Sequence, residues 1–150
     1  MSARNDLRMN ERIDAPWIPL WIPDVGHALR LAGVHFDAVR MRAPLAERVA
    51  SELLRCTDFD AGPIVAESTG DRNMYFLLPP QTGAAYVWPP GVRVLTRSHG
   101  GMAYVGVPAL TGVTWPLGWR SVPSAGVPFV DGELLWEVGC GLSPGGIRRS

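Results

Sequence analysis

The chain contains no lysine and only two cysteines among its 150 residues, and its acidic and basic side chains are equal in number, at 14 each. Because the net charge is zero at neutral pH, no overall field draws the protein towards nucleic acid or an anionic membrane, although a local basic patch is compatible with this balance. Cys56 and Cys140 are too few for a disulfide framework or a cysteine-based zinc site. Every basic residue is arginine, which makes flat, forked contacts with phosphate and carboxylate groups.

Long apolar runs are absent as well. No run approaches the ~18 residues that a membrane span requires, and the first residues lack the basic-then-apolar order of a signal peptide. We therefore expect a cytoplasmic protein without a membrane partner. A hydrophobic content of 47% with 19% charged residues predicts one compact domain. We place this domain at residues 17–140, between flexible tails at residues 1–16 and 141–150.

The first half of the domain predicts an α+β arrangement. Residues 24–31 read as a short helix that Gly33 ends, and the β-branched residues 34–41 read as a strand. Apolar side chains at helical spacing follow over residues 44–56, and residues 64–67 and 74–78 form a hairpin. The order strand, helix, strand, strand is the opening half of a split β-α-β unit. This unit carries its helices on one sheet face and leaves the other face available.

The second half predicts fewer regular elements. We expect a further hairpin between residues 92–96 and 102–107, because two glycines lie in its turn. Residues 111–130 are rich in proline, glycine and tryptophan, which indicates an ordered loop with short extended pieces. Asp131 is placed to cap a last helical turn.

Asp37 is the most informative polar residue of this pattern. The period of two puts Asp37 and His35 on the same face of the predicted strand. A carboxylate between Phe36 and Ala38 is costly to bury unless it is paired, hydrogen-bonded or bound to a cation. Asp37 is therefore either part of a site or half of a structural pair.

Three segments and two later tryptophans carry a family resemblance. They are Phe36-Asp37-Ala38-Val39, Gly70-Asp71-Arg72-Asn73-Met74-Tyr75-Phe76, and Gly100-Gly101-Met102-Ala103-Tyr104-Val105-Gly106-Val107-Pro108, followed by Trp115 and Trp119. Together they resemble the N-terminal prim-pol domain of bifunctional DNA primase/polymerases, and most closely the short, diverged versions common in actinobacteria. The resemblance implies an α+β fold with an RRM-like sheet.

The resemblance also implies that catalysis has been lost. Family members hold divalent metal with two alternating acids on the first strand, since hard cations need several oxygen ligands. Here Asp37 matches the first acid, and Val39 occupies the place of the second. Asn73 stands where the family presents a histidine to nucleotide phosphates, and Val92, Arg93 and Val94 fill the strand where a further acid is expected. One acid cannot support two-metal phosphoryl transfer, so no metal cofactor is expected and Asp37 is the single candidate ligand.

Three functions follow as hypotheses. The first is a non-catalytic, regulatory module that binds a nucleotide or single-stranded nucleic acid through basic, amide and aromatic side chains; the candidates are Arg40, Arg72, Asn73, Tyr75, Arg93 and Arg97, with His99 nearby. The alternative for these arginines is that they are scattered over solvated surface.

The second function is a protein-interaction module, with a homodimer as one form, that uses the tryptophan-rich surface. The third is a small-molecule or metal-dependent enzyme in which the catalytic candidates His35, Asp37 and His99 form an acid/base or single-metal cluster.

Overall fold

The computed structural model of the protein describes residues 17–98 and 101–143. These residues form an α+β domain, as the sequence predicts. In chain order its elements are β1 (His27–Leu31), β2 (Asp37–Arg42), α1 (Leu45–Cys56), β3 (Ile64–Glu67), β4 (Asn73–Leu78), a 3₁₀ helix (Gly83–Ala85), β5 (Arg93–Leu95), β6 (Tyr104–Pro108), β7 (Leu117–Ser121) and α2 (Gly132–Leu142). None of the helices in these ranges is long and apolar enough to cross a membrane.

Five strands form the main sheet, in the order β5-β2-β4-β3-β7, and every neighbouring pair is antiparallel. The predicted hairpin of β3 and β4 is present, with Val65 opposite Tyr75. Strand β4 lies between β2 and β3, so β2, α1 and β3 form the predicted split unit. This order makes β2 and β4 interior strands, and their residues are mostly buried.

Both helices pack on one face of this sheet. Helix α1 buries Val49 and Leu53, at the spacing from which it was predicted, against Val39 and Phe76 of the interior strands. Helix α2 packs beside α1 and contributes the buried Leu135 to the same cluster. The predicted cap of α2 is confirmed, because Asp131 Oδ1 accepts a hydrogen bond from the Leu134 amide at 3.1 Å. Cys56, which ends the apolar pattern that predicts this helix, is exposed at the last residue of α1.

A second, two-stranded sheet covers part of the other face. Strands β1 and β6 pair antiparallel, and Val105 and Val107 of β6 pack with Trp21, Phe36 and other buried side chains of a second cluster. The helix predicted over residues 24–31 is therefore wrong. Strand β1 occupies most of that range, because pairing with β6 outweighs local helical preference.

The predicted hairpin of residues 92–96 and 102–107 is also wrong. Strand β5 pairs with β2, whereas β6 pairs with β1 in the other sheet. Only an isolated bridge between Ser98 and Gly101 joins the two segments. The chain thus passes from the main sheet to the two-stranded sheet between Leu95 and Tyr104.

Several predicted boundaries are shifted. Strand β2 begins at Asp37 and not at residue 34, because residues 32–35 form a turn. Strand β7 is one of the extended pieces expected within residues 111–130. Helix α2 continues to Leu142, two residues beyond the predicted end of the domain. The predicted tail at residues 1–16, and the predicted C-terminal tail from residue 144 onward, lie outside the described residues.

Candidate functional site

Two arginines and a tyrosine form a row across three neighbouring strands. Arg40 of β2 lies opposite Arg93 of β5 on one side and opposite Tyr75 of β4 on the other. Directly opposed residues of antiparallel strands place their side chains about 5 Å apart on the same face of the sheet. We call Arg93, Arg40 and Tyr75 the arginine–tyrosine row.

The row lies on the sheet face that carries no helix. Strand residues alternate between the two faces, and Ala38 and Leu77, two residues from Arg40 and Tyr75, pack in the cluster beneath the two-stranded sheet. Arg40 and Tyr75 are half-buried and Arg93 is exposed, so the two-stranded sheet does not fully cover the row. The candidate surface is therefore the uncovered part of the helix-free face.

Glu67 fixes the tyrosine in place. Its Oε2 accepts a hydrogen bond from the Tyr75 hydroxyl at 3.0 Å, and its Oε1 accepts one from the Asn73 amide at 3.3 Å. Both carboxylate oxygens of Glu67 are thus engaged within the sheet. The ring of Tyr75 is held against rotation between the Glu67 carboxylate and the half-buried strand surface.

The ionisation of Tyr75 reflects these contacts. Burial of the phenol, and then its hydrogen bond to the Glu67 carboxylate, raise the pKa of Tyr75 to about 12, while the neighbouring Arg40 guanidinium acts in the opposite direction. Because the pKa is so high, the phenol is protonated at neutral pH and donates its hydrogen bond. Tyr75 therefore presents a neutral aromatic surface beside a positive charge.

The arginines of the row are not neutralised by carboxylates. Ion pairs within the described residues join Arg42 to Asp71, Arg55 to Glu52 and Arg120 to Glu47. Arg40, Arg72 and Arg93 form no ion pair with any residue that the structure describes. Although the whole chain has zero net charge, this part of its surface has an excess of positive charge.

A cleft of about 650 Å³ opens at the end of the sheet beside the row, where β2 leads into α1 and β3 turns into β4. Its polar lining comprises Arg42, Glu47, Glu67, Asp71 and Arg72. Glu47 is engaged by Arg120 at 2.9 Å, whereas the Arg42 to Asp71 contact is long, at 3.9 Å, and exposed. The acids of the cleft thus have partners, and Arg72 is the cation in its lining that forms no ion pair within the described chain.

The carboxylate of Asp37 is held by hydrogen bonds inside the protein. The side chain is fully buried, and its Oδ1 accepts hydrogen bonds from the Gln81 amide at 2.8 Å and the Thr96 hydroxyl at 2.7 Å. Its Oδ2 accepts one from the Gly83 amide at 2.9 Å. Asp37 therefore fastens the 3₁₀ helix and the end of β5 to the start of β2. The sequence leaves two roles open for Asp37, as part of a site or as half of a structural pair. The structure shows the structural role, and the partners of the carboxylate are neutral donors and not a charged group.

The predicted catalytic cluster is not assembled among the described residues. His35 lies exposed in the turn before β2, and none of the hydrogen bonds that Asp37 accepts comes from it. His99 falls outside the described residues. No group of three or more histidine, cysteine, aspartate or glutamate side chains in residues 17–98 and 101–143 is placed to hold a metal ion. The sequence placed His35 on the same strand face as Asp37 because the predicted strand began at residue 34, three residues before β2.

The ligand-binding candidates are largely brought together. Arg40, Tyr75 and Arg93 form the row, and Asn73 and Arg72 lie at the start of β4 beside it. Arg97 is separated from the row, because Leu95 between them is buried and Arg97 packs next to Gly33. Sequence reasoning missed Glu67. Val65 lies opposite Tyr75 in the hairpin, and Glu67 is two residues after Val65. Glu67 therefore lies on the same sheet face as Tyr75, which could have been inferred from the sequence once the register of the hairpin was known.

Comparisons of this chain with models of known protein families, with curated proteins and with solved structures gave no match.

Proposed function

We propose that the chain is a non-catalytic prim-pol-like module that binds short single-stranded nucleic acid, or a nucleotide, on the helix-free face of its sheet. The observation that carries the proposal is the arginine–tyrosine row. A half-exposed aromatic ring, beside arginines that form no ion pair within the described residues, provides stacking for a base and positive charge for a phosphate.

The extent of the open surface supports a short ligand. The two-stranded sheet covers the rows of residues on one side of Arg40 and Tyr75. On the β7 side, Trp119 is pinned by its Nε1, which donates to the carbonyl oxygens of Pro108 at 3.1 Å and Ala109 at 3.2 Å. A bound strand would therefore cross the row and leave towards the cleft that Arg42 and Arg72 line. The surface accommodates a few nucleotides and not a long duplex.

The proposal is tested by fluorescence anisotropy with a labelled oligothymidylate over a series of salt concentrations. With three unpaired arginines contacting phosphates, the logarithm of the association constant should fall with the logarithm of the salt concentration with a slope of about −2. Tyr75→Leu should weaken binding about tenfold through loss of stacking, whereas Tyr75→Phe keeps the ring and should bind nearly as well as the parent chain.

Arg48→Gln is the matched control for Arg93→Gln. Both arginines are exposed and form no ion pair within the described residues, but Arg48 lies on α1, on the opposite side of the sheet. Arg93→Gln should weaken binding and lower the salt slope, and Arg48→Gln should change neither. Equal losses in the two variants, or no salt-dependent binding at micromolar protein, would refute the proposal.

A second candidate function is self-association, and the outer surface of the two-stranded sheet favours it. Leu29 of β1 is 69% exposed and Tyr104 of β6 is 55% exposed, and Trp115, in the turn before β7, is 70% exposed. Leu29 and Tyr104 are diagonal neighbours across the pair of strands, and exposed apolar and aromatic side chains are typical of protein interfaces. Sedimentation of the parent chain against Leu29→Arg tests this candidate, with Val87→Arg as a control at an exposed apolar residue whose carbonyl bonds to α2. A monomer at every concentration would exclude it.

A further inference from the structure

Strand β5 has one edge without a backbone partner in the described chain. It is the terminal strand of the main sheet and pairs only with β2. Residues 93–97 form no backbone hydrogen bond with any other described residue outside that pairing. After the Ser98–Gly101 bridge the chain moves away, and the Ala103 carbonyl accepts from the Ala32 amide at 2.8 Å near the other sheet. The second edge of β5 is thus available for pairing.

A groove of about 440 Å³ follows this edge. One wall includes Ala84 of the 3₁₀ helix, and the other includes Met102 and Ala103 of the returning segment. The floor is formed by β5 and Thr96. An extended chain lying in the groove would have the unpaired edge on one side and a wall on each of its faces, which is the geometry of an added strand.

The charge of the groove determines which extended peptides it complements. Among the described residues, Arg93 is the only charged side chain that lines it, and no acid does. Arg97, exposed just beyond Thr96, adds a second positive charge without an ion pair in the described residues. Met102 offers an apolar wall that is 70% exposed. The groove therefore complements a segment that combines apolar side chains with a carboxylate.

We infer that the outer edge of β5 binds an extended peptide carrying an acidic side chain between β-branched residues, and that this peptide adds to the main sheet as a sixth strand. Its backbone amides and carbonyls pair with β5, one carboxylate faces Arg93, and an apolar side chain packs on Met102. This site is separate from the proposed nucleic-acid surface except for Arg93, which borders both.

The test uses the full chain and a blocked peptide of sequence Thr-Val-Glu-Val-Thr, titrated while the backbone amides of β5 are followed by NMR. Saturable binding with slowed hydrogen exchange at amides of residues 93–96 is the expected result. The same peptide methylated on alternate backbone nitrogens cannot pair and should not bind. Replacing its glutamate with lysine should weaken binding about fivefold or more.

Substitutions of the exposed Met102 change the charge of the groove without disturbing the core. Met102→Asp should weaken binding of the acidic peptide more than Met102→Lys does, and Met102→Leu should leave it unchanged. Tyr75→Leu should lower the affinity for oligothymidylate and not for the peptide, so failure of one proposal is distinguishable from failure of the other.

Three results would overturn the inference. They are equal binding of the methylated peptide, no binding at millimolar peptide, and protection of the same amides by a concentration-dependent dimer in the absence of peptide. The last result would assign the edge to a second copy of the chain.

Discussion

At the scale of single residues, Asp37 is the only charged side chain that is fully buried within the described chain. Its three hydrogen bonds come from two backbone amides and one hydroxyl, all of which would lack a partner without the carboxylate. Asp37→Asn replaces one of the two accepting oxygens with an NH₂ group, so at least one of these donors faces another donor. We expect a loss of about 3 kcal/mol in the free energy of unfolding, measured by urea denaturation.

Thr96→Val is the companion to this substitution. It removes one donor from Asp37 and leaves both backbone amides in place, so the expected loss is about 1 kcal/mol. If Asp37→Asn were no more destabilising than Thr96→Val, the carboxylate would not be the element that fastens the 3₁₀ helix.

Tyr75 predicts a dependence of stability on alkaline pH. Its pKa is raised from 10.0 in the free residue to about 12 in the folded protein, chiefly by burial and then by Glu67. Since the folded state holds the proton more tightly than the unfolded state, the stabilisation is complete below pH 10 and is lost as the pH rises towards 12. Relative to Tyr75→Phe, which does not ionise, the parent chain should lose stability across this interval. Parallel unfolding curves of the two proteins between pH 9 and pH 12 would contradict the assignment.

At the scale of elements, Gly33 determines how the turn before β2 meets the end of β5. It has a positive φ of 90°, and a Cβ at this position would lie 2.4 Å from the backbone nitrogen of Arg97. Gly33→Ala should therefore destabilise the protein by about 3 kcal/mol, because both conformational strain and a backbone clash oppose it.

Gly26→Ala provides the matched comparison in thermal or urea unfolding. Gly26 also has a positive φ, of 61°, but a Cβ added there would meet no atom within 4 Å. Strain alone should cost about 1 kcal/mol there. Similar losses in the two variants would show that the contact with Arg97 is not limiting.

Local patterns were sufficient to predict those elements whose own sequence defines them. The spacing of Leu45, Val49 and Leu53 predicted α1, and the turn residues between β3 and β4 predicted their hairpin. Asp131 predicted the start of α2. In each case the signal lies within the element itself or in the turn or cap beside it, so local preference and tertiary structure agree.

The errors concern strands whose partners are distant in sequence. Strand β1 has helical spacing in isolation, and only its pairing with β6, more than seventy residues later by residue number, makes it extended. Likewise, nothing near β5 indicates that it pairs with β2 and not with β6. The sequence identified Arg40, Tyr75 and Arg93 as candidates but did not predict that they form a row. Their alignment depends on the register of three strands, which local patterns do not give.

At the scale of the whole molecule, the two sheets should differ in stability. The interior strands β2 and β4 are covered by both helices, whereas the two-stranded sheet has one buried face and few strands to share hydrogen bonds. Native-state hydrogen exchange should therefore be slowest in β4 and β2 and faster in β1. Equal protection of β1 and β4 would show that the two sheets open as a single cooperative unit.

The same organisation separates the proposed functions. The helix-free face, the edge of β5 and the outer surface of the two-stranded sheet are different surfaces, and each is tested by a variant that does not touch the others. Arg93 is the exception, because it borders both the row and the groove. Simultaneous binding of oligothymidylate and the acidic peptide should therefore be weaker than the product of their separate affinities, as competition titrations can measure.

The three bonds of Asp37 also bear on the order in which the chain becomes structured during its synthesis. The donors come from residues 44, 46 and 59 positions further along. Until Thr96 has left the ribosome, β2 lacks both this donor and the completed strand β5 that pairs with one of its edges. A nascent chain that stops before Thr96 should therefore remain sensitive to protease even though β2, α1, β3 and β4 are complete, and protection should appear only after the strand that follows the 3₁₀ helix has emerged.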